Sequence, residues 1–479
     1  MAQASGSNGL VSFRREQSFG VPDFPDVSGG GSSTISVAAA GPGATSIEVA
    51  SATNFAIGDK IKVGDSRNLE YVEILSISSN VLTLHPNTRI NYRHEIGEAV
   101  VEQSLAGFVK IGAITSYNLD GELQQFESGA IDGVRQGVQG VRSGNYVVNG
   151  NLTVEIATEG VGVFLAHALN AAYKSTGPAE PVTPAATTLA NVAAIGDRTI
   201  EVAAFTNISV GDLLRIESGD NAEIVKVDAA WGGASTTVDI EQPVRQAHAG
   251  SSTVDEVITP FTHTIKRGSL PPGMSMLLHL SDIDSLALIR GAKINSLDLT
   301  LDPSGINTMN VSFLAQGAQM LQRDIFGTLT SVTHNPLVPW EAALKEGGSA
   351  IATVESMALN IENNISADRF TVGSRFIGAA TEGKERTSGS IQYQYNDASL
   401  VKKAIEEVES SLNVKWTYTL DANHTLEIDL PRVKYGGSPH PALPDEGPIT
   451  DTRSFTALRD ATEQSDVKIT ILTTEYTLY

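Results

Sequence analysis

Residues Gly291–Gly317 read GAKINSLDLTLDPSGINTMNVSFLAQG. In the stretch Ile294-Asn-Ser-Leu-Asp-Leu-Thr-Leu, apolar side chains fall on one face and polar ones on the other, as a half-buried strand requires. The same alternation recurs in Ser46-Ile-Glu-Val, Asn151-Leu-Thr-Val-Glu-Ile, Ser390-Ile-Gln-Tyr-Gln-Tyr, Thr425-Leu-Glu-Ile-Asp-Leu and Val467-Lys-Ile-Thr-Ile-Leu. The chain is therefore expected to be mainly β. Helical spacing is confined to two places. Glu159–Ala172 sets Val161, Phe164, Leu165, Ala168 and Leu169 on one helical face. Asp397–Ser411 does the same with Leu400, Val401, Ala404, Ile405 and Val408, and offers Asp397 or Ser399 as an N-cap.

Working outward, an internal repeat stands out. Residues 46–60 align without gaps, at offset 153, with residues 199–213, and eight of the fifteen pairs are identical. The match continues through Glu70-Tyr-Val-Glu-Ile and Glu223-Ile-Val-Lys-Val, and a one-residue slip brings His94 onto His248. Each copy reads as a small β module whose Gly58-Asp59 or Gly211-Asp212 pair turns between strands. A Pro-rich stretch, residues 174–184, precedes the second copy, which is expected to be an insertion. Two weaker echoes follow. Ile294–Asp302 matches Val354–Glu362 at offset 60, and a strand from Gly150 leading into a helix is echoed by a strand from Gly389 leading into a helix.

Composition narrows the function classes. The chain has 479 residues, no cysteine, 33 Lys+Arg against 55 Asp+Glu, a net charge of -22 and 41% hydrophobic residues. Lack of cysteine excludes disulfides, Cys-ligated zinc and thiol nucleophiles. The acid excess argues against a basic nucleic-acid reader. No apolar run is long enough to suggest a membrane-spanning helix, and the first twenty residues lack the apolar core of a secretory signal. Catalytic motifs are missing too. There is no Gly-x-Ser-x-Gly elbow, and Lys174-Ser175-Thr176 lacks the glycines of a phosphate-binding loop. Gly160-Val-Gly162 is an incomplete dinucleotide fingerprint. The nine histidines are scattered. His94 and His248 suggest turn-stabilising hydrogen bonds or, failing that, ligands. His279, Asp282 and Asp284 suggest a solvated edge more than paired acid–base carboxylates. The series Gly129, Gly133, Gly137, Gly140 and Gly144, with Arg135 and Arg142, reads as an extended loop or an anion-binding backbone. No enzyme activity, cofactor or metal is expected.

The quoted stretch from Gly291 resembles the central strands of tailed-virus tail tube proteins. So do the segments from Ile351 (IATVESMALNIENNI) and from Gly389 (GSIQYQYNDASLVKKAIEE), and the strand–helix step over 150–172. The resemblance covers roughly 100–172 and 256–479, and leaves the repeated modules outside it. It implies two tail-tube-type β-sandwich or barrel domains, each with a flanking helix, plus the two small inserted β modules. The expected divisions are a flexible arm (1–35), module copy 1 (36–102), a discontinuous first domain (103–177 and 256–325), module copy 2 (178–255), a linker (326–349) and a second domain (350–479).

The resemblance also implies a structural virion protein whose rings stack into a hollow tube that viral DNA traverses without specific binding. Two domains per chain suggest a trimeric ring, with a hexamer as the alternative. Tape measure and tail terminator or baseplate proteins are expected partners, and the host cytoplasm the place of assembly. Residues 363–388 are read as an inter-subunit loop or an ordinary surface loop, with Asp368, Arg369, Phe370, Arg375, Phe376, Lys384 and Arg386 as candidate contacts. The modules are expected to project outward. The competing readings are a β-rich decoration or adhesin protein that binds host glycans, and a polysaccharide-degrading enzyme.

Overall fold

The computed structural model describes residues 9–24, 27, 31–65, 68–105, 108–111, 114–127, 140–217, 219–327, 330–331, 334–351, 353–366, 369–437 and 448–478. The main body comprises β1 (Gly9–Ser18), β2 (Ile114–Glu127), β3 (Val141–Glu155), α1 (Gly162–Leu169), β4 (Phe261–Lys266), β5 (Met274–Leu280), β6 (Ser285–Leu301), β7 (Thr308–Ala315) and β8 (Gly317–Leu321). It continues with β9 (Ala342–Glu346), β10 (Val354–Glu362), β11 (Arg386–Gln394), α2 (Ser399–Ile405), β12 (Ser410–Thr417), β13 (Thr425–Tyr435), β14 (Thr450–Ala457) and β15 (Lys468–Thr473). Strands dominate, as the alternation requires.

Two antiparallel runs share one pairing scheme. In the first, β2-β3-β7-β6, one row across the sheet reads Leu119, Gly150, Phe313, Ile294. In the second, β10-β11-β14-β13, the corresponding row reads Leu359, Gly389, Phe455, Tyr435. Each row carries a glycine where the phenylalanine of the next strand lies across it. A Cβ at Gly150 would run into the Phe313 ring, and one at Gly389 into the Phe455 ring. Behind each run lies a second layer built alike. β1-β5-β6-β8 backs the first, and β9-β12-β13-β15 backs the second, each long strand serving both layers. One apolar core joins them, with Leu152, Phe313, Leu359, Ile391, Trp416 and Phe455 among its members. A fully buried side chain of this size contributes about 1.5–3 kcal/mol.

Local pattern did not disclose every pairing. Ten residues of the expected arm 1–35 form β1, which pairs with β5 from Gly9↔Leu280 to Arg15↔Met274. Its Phe13 ring meets Phe164 of α1 edge-on at 4.9 Å. Strand β1 is covered on both sides, so it lacks the simple alternation of a half-exposed strand. The offset-60 echo is also not a structural equivalence. Its two segments, in β6 and β10, are antiparallel neighbours. The Gly150–Gly389 echo coincides with matching rows.

The two modules share a strand order, and isolated bridges close each into a small barrel, Ser36↔Val49 in module 1 and Leu189↔Val202 with Val227↔Ile240 in module 2. In module 1, Ser33–Ile35 pairs with Ala99–Glu102, which pairs with Lys60–Val63, which pairs with Glu70–Ser78; Ser46–Glu48 pairs with Val81–Leu84. In module 2, Ala186–Thr188 pairs with Thr253–Glu256, which pairs with Leu213–Ile216, which pairs with Glu223–Lys226; Thr199–Glu201 pairs with Thr237–Asp239. Gly58 and Gly211 take positive φ at the repeated turns, 94° and 91°. The following carboxylates, Asp59 and Asp212, each accept a bond from the amide three residues back at 2.6 Å. Module 2 leaves and re-enters the sheet at one place, because Lys174–Thr176 and β4 pair with each other.

Candidate assembly interface

The two runs meet along β6 and β10, in register from Ser296↔Glu362 to Leu301↔Met357. This seam buries the apolar face of β10: Met357, Leu359 and Ile361 are 2%, 2% and 3% exposed. Just beyond, Asn363 is fully buried. Its Nδ2 donates to Ala168 O of α1 and to Ile294 O, both at 2.9 Å, and its Oδ1 accepts from Arg267 at 2.9 Å. Arg267 also donates to Thr387 and pairs with Asp466 at 3.0 Å. A buried polar side chain satisfied this fully fixes one geometry.

The opposite flanks of the two runs differ from the seam. Among the described residues β2 pairs only with β3, and Tyr117, Leu123 and Phe126 are 37%, 42% and 57% exposed. At the other flank, Lys434 and Tyr435 at the end of β13 pair with β14. An open strand edge invites another strand.

Of the described residues singled out in 363–388, Phe376 is buried in its own chain, whereas Arg369, Lys384 and Arg386 are exposed. Asp368 lies outside the described residues. Arg369 accepts through its carbonyl from Gly378 N, and Phe370 packs with Leu314, Ile377 and Ala380. The Arg375 carbonyl accepts from Tyr146 N of β3 at 2.8 Å. Phe376 is buried, its ring 4.7 Å edge-on from Tyr92 of module 1 and 6.1 Å from Tyr146. The Lys384 carbonyl accepts from Asn364. Arg386 lies in β11, opposite Glu362. The segment thus ties the second run to the first and to module 1. The loop contacts that sequence reasoning missed, Gln316 to Ile377 O above all, join elements distant in sequence and leave no local signal.

Each module docks on the main body, module 1 on the edge strand β8 and module 2 on the segments that flank the Lys174–Thr176 and β15 strands. In module 1, the Gln319 side chain of β8 exchanges two bonds with the Tyr71 backbone, and Tyr92 donates to Ala318 O. In module 2, Arg245 lies over the Tyr173 ring and donates to Thr477, and Tyr476 donates to Glu241. The repeat histidines are buried among carboxylates. His94 contacts Glu70 at 3.1 Å and Glu98 at 2.6 Å; His248 contacts Glu223 at 3.2 Å and Glu217 at 3.0 Å. Burial opposes the charge on both rings, but the hydrogen bonds and charges of those glutamates outweigh it and raise both pKa values. His279 contacts Asp284 at 3.4 Å. No metal-holding group occurs among the described residues. Gly129, Gly133, Arg135 and Gly137 lie outside them, and Arg142 is in β3, opposite Phe126.

A family model described as phage tail tube protein matches residues 6–457. The chain belongs to the phage tail tube protein family. Both modules and both runs fall within the matched span. A tail tube protein is a structural component of the virion tail, and the family is not one of enzymes. No curated protein matches the chain. Among the described residues, no helix of this tail tube protein is long and apolar enough to cross a membrane.

Proposed function

We propose that three copies of this chain close into a ring of six equivalent sheet runs, that rings stack into a hollow tail tube, and that viral DNA passes through the bore during ejection. Each run, with its back layer and helix, is read as one tail-tube-type β-sandwich domain. The seam between β6 and β10 carries this reading, because it joins two like units edge to edge within one chain. A second copy offers β2 where β10 sits, so the end of β13 in one copy meets β2 in the next. Head-to-tail contacts that close by rotation make a ring and leave no open edge.

The sheet face opposite the core supports its assignment to the bore. Asn118, Glu122, Asp298, Asn360, Ser390 and Gln392 lie on it, none of them buried. With a net charge of -22, such a wall repels phosphate and lets DNA slide. The modules sit on the main body and project outward. Within the 363–388 loop, the exposed tip Val372–Gly373 and the exposed Lys384 and Arg386 are offered to the next ring. Tape measure and terminator or baseplate proteins close the ends, and a chain without cysteine suits assembly in the host cytoplasm. Averaged cross-sections of the assembled tube by electron microscopy test the stoichiometry. Three chains per ring are expected; six would replace the trimer by the hexamer.

A further inference from the structure

We infer that the apolar face of β2, carrying Tyr117, Leu119 and Leu123, is covered in the assembled tube by the exposed end of α2, Ile405 and Val408, of a second copy. This rests on the ring reading and names the side chains at the joint between copies.

The argument is a difference between two matching places. Because Leu119 and Leu359 occupy the same row position, Tyr117 corresponds to Met357, Gly121 to Ile361 and Leu123 to Asn363. On β10 and just beyond it, Met357, Leu359, Ile361 and Asn363 are buried, at 2%, 2%, 3% and 0% exposure. On β2, Tyr117 and Leu123 stand 37% and 42% exposed. The cover over the far end of β10 is α1, through Asn363 and Ala168 O. The helices differ in the complementary way. Every residue of α1 is buried, including its last, Leu169. Helix α2 buries Leu400 and Val401, and leaves its last residue, Ile405, 62% and the following Val408 44% exposed.

One chain therefore holds one complete strand–helix joint, β10 with α1, and the two separate parts of another. Strand β2 lacks a helix end, and the end of α2 lacks a strand. Both bare parts are apolar, and each removes the other from water when one copy meets the next. A second copy of this chain is the occupant because the chain already contains the pattern of that contact.

Absence of cysteine makes the test clean. Chains carrying Leu123→Cys are mixed with chains carrying Ile405→Cys, assembled, and treated with a short bis-maleimide. A covalent pair containing one chain of each kind is expected. A chain carrying both substitutions should give a ladder that stops at the copy number of the ring. Tubes that form without the mixed pair overturn this joint and leave the ring reading standing; a wild-type chain that forms no rings overturns both. As a second measure, Ile405→Asp is expected to lower tube yield about tenfold or more while the melting temperature of the unassembled chain stays unchanged. An unaltered yield overturns the joint.

Discussion

Strands β2 and β10 begin matching sheet runs, yet one is bare and the other buried. Both pair with a following strand across a glycine, Gly150 or Gly389, and both runs place a phenylalanine over that glycine. The difference arises from neighbours. Strand β10 has β6 and α1 beside it, whereas β2 has neither equivalent among the described residues. Like folds need not be equally complete, and an incomplete edge carries information about assembly. If the halves are equivalent inside, matched substitutions in them should act alike. If they differ only at the flank, substitutions there should diverge.

The largest matched effect is expected in the core. Phe313→Ala and Phe455→Ala each remove a side chain at most 3% exposed and should each cost about 3–5 kcal/mol. Urea unfolding of the unassembled chain measures both. A cost under about 1 kcal/mol for one and not the other would break the equivalence of the runs.

The modules extend the comparison to pH. His94→Gln removes the cation facing buried Glu70 and should cost roughly 3 kcal/mol at pH 6, and His248→Gln should cost less, because Arg245 still faces Glu223 at 3.6 Å. Since the folded pKa values lie above the unfolded value of about 6.5, this stabilisation is complete below pH 6.5. It fades as pH rises through the folded pKa. The variants and the parent should therefore converge in stability at alkaline pH. A gap that instead widened with pH would show that the rings are neutral when folded. His167 and His263 act in the opposite sense. Burial, the dominant cause, lowers each to about 4, so their contribution is present above pH 6.5 and is lost as pH falls toward 4.

Next in size come the two glycines. Gly150→Ala and Gly389→Ala force a methyl against the facing ring and a neighbouring carbonyl, Asn118 O or Ala358 O. Each should cost about 1–3 kcal/mol. Thermal melts of the two variants should fall together.

Much of this was legible in residues that need only local physics. Alternation at Leu297, Leu299 and Leu301 marked β6, and the spacing of Phe164, Leu165 and Ala168 marked α1. The Gly-Asp pairs of the repeat marked turns that the structure builds with the same hydrogen bond in both modules. What escaped was pairing over long separations. Nothing local tells Phe376 that it will sit against Tyr92, or Asn363 that it will bond the end of α1. Alternation even misleads, since any two half-buried strands resemble each other. That is why β6 and β10 looked like copies when they are neighbours. The apolar residues Tyr117 and Leu123 were visible in the sequence, but their exposure was not, because exposure belongs to the partner a strand lacks.

The smallest expected effect is the one that best separates the two strands. Tyr117 and Met357 correspond in the matched rows, but Met357 is 2% exposed and Tyr117 37%. Met357→Ser should cost the unassembled chain about 2–5 kcal/mol, as a cavity plus a hydroxyl in an apolar core. Tyr117→Ser should cost that same chain no more than about 0.5 kcal/mol, the usual range for an exposed position. The ranking should change once tubes form. If β2 is covered by a neighbouring copy, Tyr117→Ser lowers the temperature at which tubes dissociate while leaving chain unfolding unmoved, so calorimetry of assembled and unassembled samples separates the two events. A Tyr117→Ser chain as destabilised as Met357→Ser before assembly would mean that β2 is already buried, and the two runs would then differ in sequence only.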